Sequence, residues 1–165
     1  MKTIYLAGGC FWGVEKYMSL LSAVVETRVG YANGNTEYPT YEDVCTGTTG
    51  HAETVCVVFN PEISNLDYIL DQYYKIIDPI SVNRQGADIG TQYRTGIYYV
   101  GEVDAPVIVD SVNRLSEDFR MPVAIEICPL MCFYMAEEYH QKYLEKNPEG
   151  YCHVDKEMFE EAKKN

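Results

Sequence analysis

The chain has 165 residues, 47% hydrophobic and 23% charged, without a low-complexity tract, which fits a single domain over 1–165 with a real core. Its formal net charge of -12 repels phosphate backbones and anionic lipid surfaces, so nucleic acid and membranes are poor partners. No apolar run approaches the ~20 residues that span a bilayer, and MKTIYLAGG is too short in apolar residues for a secretory signal, so a cytoplasmic, reducing location is expected.

Residues 3–7 read as a strand. From Phe11 to Leu21 the apolar positions Phe11, Val14, Met18 and Leu21 keep helical spacing. Residues 23–32 alternate as a strand and end in a turn at Asn33-Gly34, and 54–59 form a short apolar strand closed by Asn60-Pro61. Leu66, Ile69, Leu70, Tyr73 and Ile77 mark a helix with Ser64 as its expected cap. A strand follows at 95–100, then a helix through Ile108, Val112, Leu115 and Phe119, with Asp104 before it and Pro106 near its first turn. A strand at 123–127 and a helix at 133–146, stopped by Asn147-Pro148, complete the regular elements. The segment 146–165 reads as a loosely structured C-terminal tail with a turn of helix near Met158. The first six elements match the ferredoxin-like split βαβ unit. The expected fold is therefore α+β, a two-layer sandwich with a βαββαβ core extended by a further helix–strand pair. Such a fold does not by itself fix an activity.

Three stretches carry chemistry. In YLAGGCFWGVEKY, residues 5–17, Cys10 stands where a strand ends and a helix begins. Free backbone N–H groups and the positive end of the helix dipole lie there and favour a thiolate, so a lowered thiol pKa is expected. Gly8 and Gly9 allow a tight bend and close approach to the sulfur, and Phe11 and Trp12 can wall the site with apolar surface. Spacing alone serves equally well for a small buried thiol among core aromatics.

The stretch 38–55, YPTYEDVCTGTTGHAETV, offers Tyr41, His51 and Glu53 in a loop that leads into a strand. A carboxyl beside aromatics and a thiol has a raised pKa and can act as a general acid near neutral pH; a solvated strand residue is the plainer reading of Glu53, and a turn or packing residue that of His51. The stretch 78–99 is a long polar loop with Asp88, Gln92, Tyr93 and Arg94, of a kind that is functional or mobile in compact domains.

Six cysteines without an export signal read as free thiols rather than a disulfide framework. Cys128-x₃-Cys132 with Cys152-His153 supplies four N and S donors, but the C-x-x-C knuckle of structural zinc sites is missing; neither a metal nor another cofactor is expected. His140 reads as a satisfied core histidine. No basic anion cradle follows Cys10, which argues against a cysteine phosphatase. No partner-helix stripe is visible, so a monomer is expected.

Together, GGCFWGVE, PTYEDVCTGTTGHAE, NRQGADIGTQYRTGIYY and FYMAEEYHQKYL, spread in order from residue 8 to 144, resemble the A-type peptide methionine sulfoxide reductases, which reduce the S epimer of methionine sulfoxide and so repair oxidised proteins. One departure is Tyr38, where a small polar residue such as Asn is expected. The resemblance implies an α/β roll on a ferredoxin-like core. It makes Cys10 the nucleophile, Phe11 and Trp12 the cradle of the substrate methyl group, and Glu53 the acid that protonates the sulfoxide oxygen. Tyr41 and Tyr93 become hydroxyl donors to that oxygen, and Asp88 a polar contact on the substrate's backbone side. The chemistry agrees: a sulfoxide sulfur is a poor electrophile until its oxygen is protonated, so nucleophile and acid must share one pocket. Attack leaves Cys10 as a sulfenic acid, which a second thiol resolves as a disulfide. Cys152, after NPEGY, is the expected resolving thiol, with Cys132 and Cys128 as alternatives and Cys45 and Cys56 as packing thiols. The family further implies recycling by thioredoxin or a similar dithiol.

Overall fold

A computed structural model describes residues 1–165. Its first strand, β1 (Lys2–Gly8), alternates its side chains between two apolar layers and runs through Gly9 and Cys10 into α1 (Phe11–Ser19). β2 (Val24–Ala32), the short α2 (Tyr41–Cys45) and β3 (Ala52–Phe59) follow. Next come α3 (Leu66–Tyr74), a small hairpin of β4 (Arg84–Gln85) and β5 (Asp88–Ile89), and β6 (Thr95–Tyr99). The chain ends with α4 (Ala105–Phe119), β7 (Glu126–Pro129), β8 (Phe133–Met135), α5 (Tyr143–Lys146) and α6 (Lys156–Ala162).

The main sheet has the order β7-β6-β1-β3-β2-β8. Its inner four strands, β6-β1-β3-β2, are antiparallel neighbours throughout, and α1 and α3 make the two crossovers; this is the ferredoxin-like core expected from the element order. β7 adds in parallel to β6 on one edge, and the extra strand β8 pairs with β2 on the other. One face of the sheet carries Ile4, Leu6, Val29, Val55, Val57 and Ile97 against Phe11, Val14 and Met18 of α1, Ile69 and Leu70 of α3 and Ile108 of α4. The opposite face is thinner. Ala7, Ala32, Ala52 and Tyr98 are covered there by Tyr5, Cys128, Leu130 and Phe133. The stretch between β7 and β8 crosses that face, held by Leu130 N–H to the Tyr99 carbonyl at 2.8 Å and Asn33 N–H to the Cys132 carbonyl at 3.1 Å.

Four expectations are corrected. The cap of α3 is Asn65, whose side chain accepts the Tyr68 N–H at 2.9 Å, and not Ser64. The strand expected at 123–127 lies at Glu126–Pro129, in register with Gly96–Tyr99. Residues 133–146 are not one helix. Phe133–Met135 pair with Gly30–Ala32, and the side chain of Gln141 then both accepts the Val29 N–H and donates to the Val29 carbonyl, each at 2.9 Å. A sheet edge with free backbone groups outcompetes the local helical period. Lys142 then takes a left-handed φ of 52°, which separates the 3₁₀ turn at Glu138–His140 from α5. Finally, the tail is not loosely tied over its whole length. Glu145–Glu149 are exposed, but Val154 and Ala162 are buried, Met158 and Phe159 pack on the main core, and Glu161 of α6 pairs with Lys75 at 3.0 Å.

Candidate active site

Gly8 and Gly9 are required by the turn that presents Cys10. Gly9 has a φ of 81°, and a Cβ there would stand 2.6 Å from the Gln85 Cβ. Gln85 is itself buried and pins the loop after α3: it accepts the Asp78 N–H and donates to the Asp78 carbonyl, both at 2.7 Å, and reaches Thr95 Oγ1 at 3.2 Å. The polar stretch 78–94 is therefore anchored on the site through β4, β5 and a 3₁₀ turn at Thr91–Tyr93. Arg94 completes the clamp with bonds to Glu126, the Thr91 carbonyl and the Gly50 carbonyl.

Cys10 occupies the N-cap position of α1 and is 7% exposed. The Trp12 N–H faces its sulfur, as expected at a helix start, and favours the thiolate. Burial and the nearby Glu53 charge act more strongly and hold the thiol well above its ordinary pKa. The expectation of a lowered pKa is thus overturned: desolvation outweighs the helix end.

Glu53 projects from β3, is 2% exposed, and accepts the Phe11 N–H on Oε2 at 3.1 Å. Burial pushes its carboxyl up to about 8, against the Phe11 N–H and with help from Asp88. The surface reading of Glu53 is excluded. At neutral pH the site holds two adjacent protonated groups, a thiol and a carboxylic acid.

Tyr41 opens α2, where Thr40 and Asp43 form a reciprocal capping box. Its N–H donates to Glu137 Oε2 at 3.2 Å, and its ring lies 4.5 Å from that of His140. Tyr93 closes the 3₁₀ turn. Burial raises both phenols; Cys45 and Glu53 add to it at Tyr41, and Glu53 and Asp88 add to it at Tyr93, so both remain hydroxyl donors. Asp88 accepts a hydrogen bond from the Tyr151 hydroxyl at 2.8 Å.

Phe11 is buried in the main core, with its ring 5.9 Å from Tyr31 and 5.2 Å from His140. Trp12 is half-buried; it stacks on Tyr143 at 3.7 Å and donates its indole N–H to His140 Nδ1 at 3.0 Å. That bond leaves the His140 proton on Nε2, and burial holds the ring below its ordinary pKa. His140 lies in the core as expected, but it is not fully satisfied: Nε2 is buried without a hydrogen-bond partner, 3.9 Å from Glu137 Oε2. His51 likewise serves a turn, accepting the Gly34 N–H on Nδ1 at 3.1 Å.

Cys152 lies against the first turn of α1: a Cβ on Gly13 would stand 2.9 Å from its Sγ. The Val154 N–H donates to this sulfur at 3.3 Å, while burial raises the thiol. Cys152 also lines an open groove of about 530 Å³ with Lys16, Leu144, Pro148 and Phe159. Cys128 and Cys132 are elsewhere, at the Asn33 turn under the opposite face of the sheet. The four donors weighed for zinc are split between these two places. Cys56 is buried near Tyr5, and Cys45 is exposed on α2 rather than packed. All six thiols are free.

Sequence reasoning missed the supports. Glu137 accepts from the Tyr31 hydroxyl at 3.1 Å as well as from the Tyr41 backbone, and Tyr143 and Tyr151 hold Trp12 and Asp88. The run EEYH was the only sequence signal for Glu137, and it reads as helix.

A family model for peptide methionine sulfoxide reductase matches residues 2–165. The chain is 56% identical to a peptide methionine sulfoxide reductase MsrA of Lachnoclostridium phytofermentans over 162 residues, 98% of each chain. The fold is similar to that of reduced Mxr1 from Saccharomyces cerevisiae, with TM-score 0.87, 40% identity, and 92% and 88% of the two chains covered. It is also similar to Mxr1 in complex with Trx2, with TM-score 0.61, 26% identity, and 86% and 84% covered.

Proposed function

Because the chain belongs to the peptide methionine sulfoxide reductase family, we propose that it reduces the S epimer of methionine sulfoxide, free or in proteins, to methionine and is recycled by thioredoxin or a similar dithiol. The observation that carries this reading is the pairing of a buried, protonated Glu53 with the Phe11 N–H, one residue from the Cys10 thiol.

In the proposed cycle the sulfoxide oxygen accepts hydrogen bonds from Glu53, Tyr41 and Tyr93 while the methyl group rests on Trp12, with Phe11 behind it. Asp88 meets the polar backbone side of the substrate. Proton transfer from Glu53 makes the sulfur electrophilic, and the phenols stabilise charge on the oxygen as it develops. The Cys10 sulfur attacks the sulfoxide sulfur as its proton passes to the Glu53 carboxylate; the new S–S bond and the substrate S–O bond then break as the hydroxyl moves to Cys10, so thiol and sulfoxide become sulfenic acid and thioether. A high thiol pKa suits this order. The nucleophile stays protonated until a substrate oxygen draws the Glu53 proton away, which limits idle oxidation of Cys10.

Cys152 then resolves the sulfenic acid. Its position on the first turn of α1 supports this choice over Cys132 and Cys128, which the sheet separates from α1. The groove beside Cys152 gives a protein dithiol an approach to the resulting disulfide, and the Mxr1 complex with Trx2 is the precedent for such a partner. Six free thiols suit a reducing cytoplasm, and no helix is long and apolar enough to cross a membrane.

The test uses both epimers of a methionine sulfoxide peptide with dithiothreitol or thioredoxin as reductant. Wild type should reduce only the S epimer, Cys10→Ser should be inactive, and Cys152→Ser should turn over with dithiothreitol and stop with thioredoxin. Reduction of neither epimer by wild type refutes the reading.

A further inference from the structure

His153 takes no part in the chemistry above, yet its ring packs on the two glycines that border the thiols that must meet. Its Cε1 would stand 3.3 Å from a Cβ on Gly9 and 3.5 Å from one on Gly13. Gly9 adjoins Cys10, and Gly13 is the glycine against which Cys152 Sγ rests. Cε1 is the carbon between the two ring nitrogens, so the polar edge of the imidazole faces the turn that holds Cys10. Nδ1 and Nε2 are both shielded from solvent and neither has a hydrogen-bond partner; the Gly8 carbonyl faces the ring without meeting hydrogen-bond geometry. With the Gly8 carbonyl on one side of the ring, at least one nitrogen of this buried imidazole is left free to accept a proton.

The resolving step supplies one. Cys152 must lose a proton to attack, burial holds its thiol above the ordinary pKa, and the adjacent Asp155 carboxylate pushes it the same way. Only the Val154 N–H opposes them. We propose that His153 is the general base of disulfide formation, taking the Cys152 proton as that sulfur attacks the Cys10 sulfenic acid; the inference rests on Cys152 as the resolving thiol. The Cys152–Cys10 S–S bond forms as the Cys10 S–O bond breaks. Hydroxide leaves and takes the proton from the imidazolium as water, so Cys10–SOH and Cys152–SH give the disulfide and H₂O, and His153 returns to neutral.

The surroundings suit this cycle. Burial lowers the imidazole pKa, so the ring is neutral and able to accept at pH 7, while the Asp88 carboxylate on the neighbouring hairpin favours the imidazolium once it forms. Asp88 is held by Tyr151, directly before Cys152. Arg84 of the same hairpin directs its Nε–H to the Gly86 carbonyl. Asp88 is the charged side chain that acts on the ring, and the Tyr151 phenol that holds it is itself raised and stays neutral.

The experiment is a single turnover with one equivalent of methionine sulfoxide peptide and no reductant, quenched in time, with methionine and free thiols measured in each sample. The readout is disulfide formation relative to methionine formation, which cancels a general loss of folded protein. His153→Gln should slow this relative rate roughly 100-fold. Its logarithm should rise with unit slope between about pH 6.5 and 8.5, following the thiolate, where the wild-type rate is flat. Added imidazole should restore the rate in His153→Ala. A wild-type relative rate in His153→Gln, or a loss uniform in pH without imidazole rescue, overturns the proposal. Disulfide formation at the wild-type rate in Cys152→Ser overturns the choice of resolving thiol on which it rests.

Discussion

The backbone N–H of Phe11 donates to Glu53 Oε2 at 3.1 Å, so the residue that follows the proposed nucleophile holds the proposed acid. One turn of backbone thus fixes the distance between the proton donor and the attacking sulfur, and β3 lies where a single side chain can meet it.

Glu53 sets a pH limit on both activity and stability. Its carboxyl is pushed up to about 8, so kcat/KM should fall as pH rises through that value, and Glu53→Gln should remove this limb while lowering kcat by about 10²–10⁴-fold. The linkage has a definite sign. A native pKa above the unfolded value means the folded state binds the proton more tightly, so this contribution is complete below about pH 4.5 and is lost as pH rises through 8. The span corresponds to roughly 5 kcal/mol. Thermal melts from pH 5 to 9 should show a steeper decline for wild type than for Glu53→Gln.

In the proposed cycle the two phenols reach the oxygen from separate elements, Tyr41 from α2 and Tyr93 from the 3₁₀ turn. Tyr41→Phe and Tyr93→Phe should each lower kcat by about 10²-fold, with a smaller change in KM. A rise in KM with kcat unchanged would assign them to ground-state contacts instead.

Gly13 gives Cys152 its seat. A Cβ there would stand 2.9 Å from Cys152 Sγ and 3.1 Å from Val154 Cγ2. Gly13→Ala should therefore dislodge the segment that joins α5 to α6, costing about 1–3 kcal/mol. Turnover with thioredoxin should fall more than turnover with dithiothreitol, and steady-state assays with the two reductants read the difference.

Gly9→Ala meets two obstacles at once, a left-handed φ and the Gln85 side chain. We expect a loss of roughly 2–3 kcal/mol in denaturant unfolding. Activity should fall as well, because Gln85 anchors the loop that carries Tyr93.

The inner four strands and their two crossovers were legible in the sequence because period and turn chemistry agree there. The motifs singled out Cys10 and Glu53 as the proposed nucleophile and acid, but their ionisation was not legible in them. A helix start is a local feature, whereas the burial that raises the Cys10 thiol comes from the packing of distant segments around it. Glu53 reads as half-solvated because a strand in the middle of a sheet, covered on both faces, has no alternating pattern to reveal it. Residues 133–146 misled for another reason. Their spacing suits a helix, and only the free edge of β2 and the reach of Gln141 to Val29 make them a strand and a turn. Tyr38 shows the reverse case: its φ of 46° is a left-handed conformation that Asn adopts more readily, which gives a physical reason for the Asn expected at that position.

The strand that leads to Cys10 is also the middle of the sheet, flanked by β3 and β6, and Cys152 reaches α1 from the far end of the chain. During synthesis Cys10, the proposed nucleophile, leaves the ribosome first, Glu53 follows more than forty residues later, and Cys152, the proposed resolving thiol, comes last of all. A product broken off before residue 152 would keep the thiol that reacts with oxidant and lack the one that resets it. Each such molecule could act once and then wait, oxidised, for a small-molecule thiol.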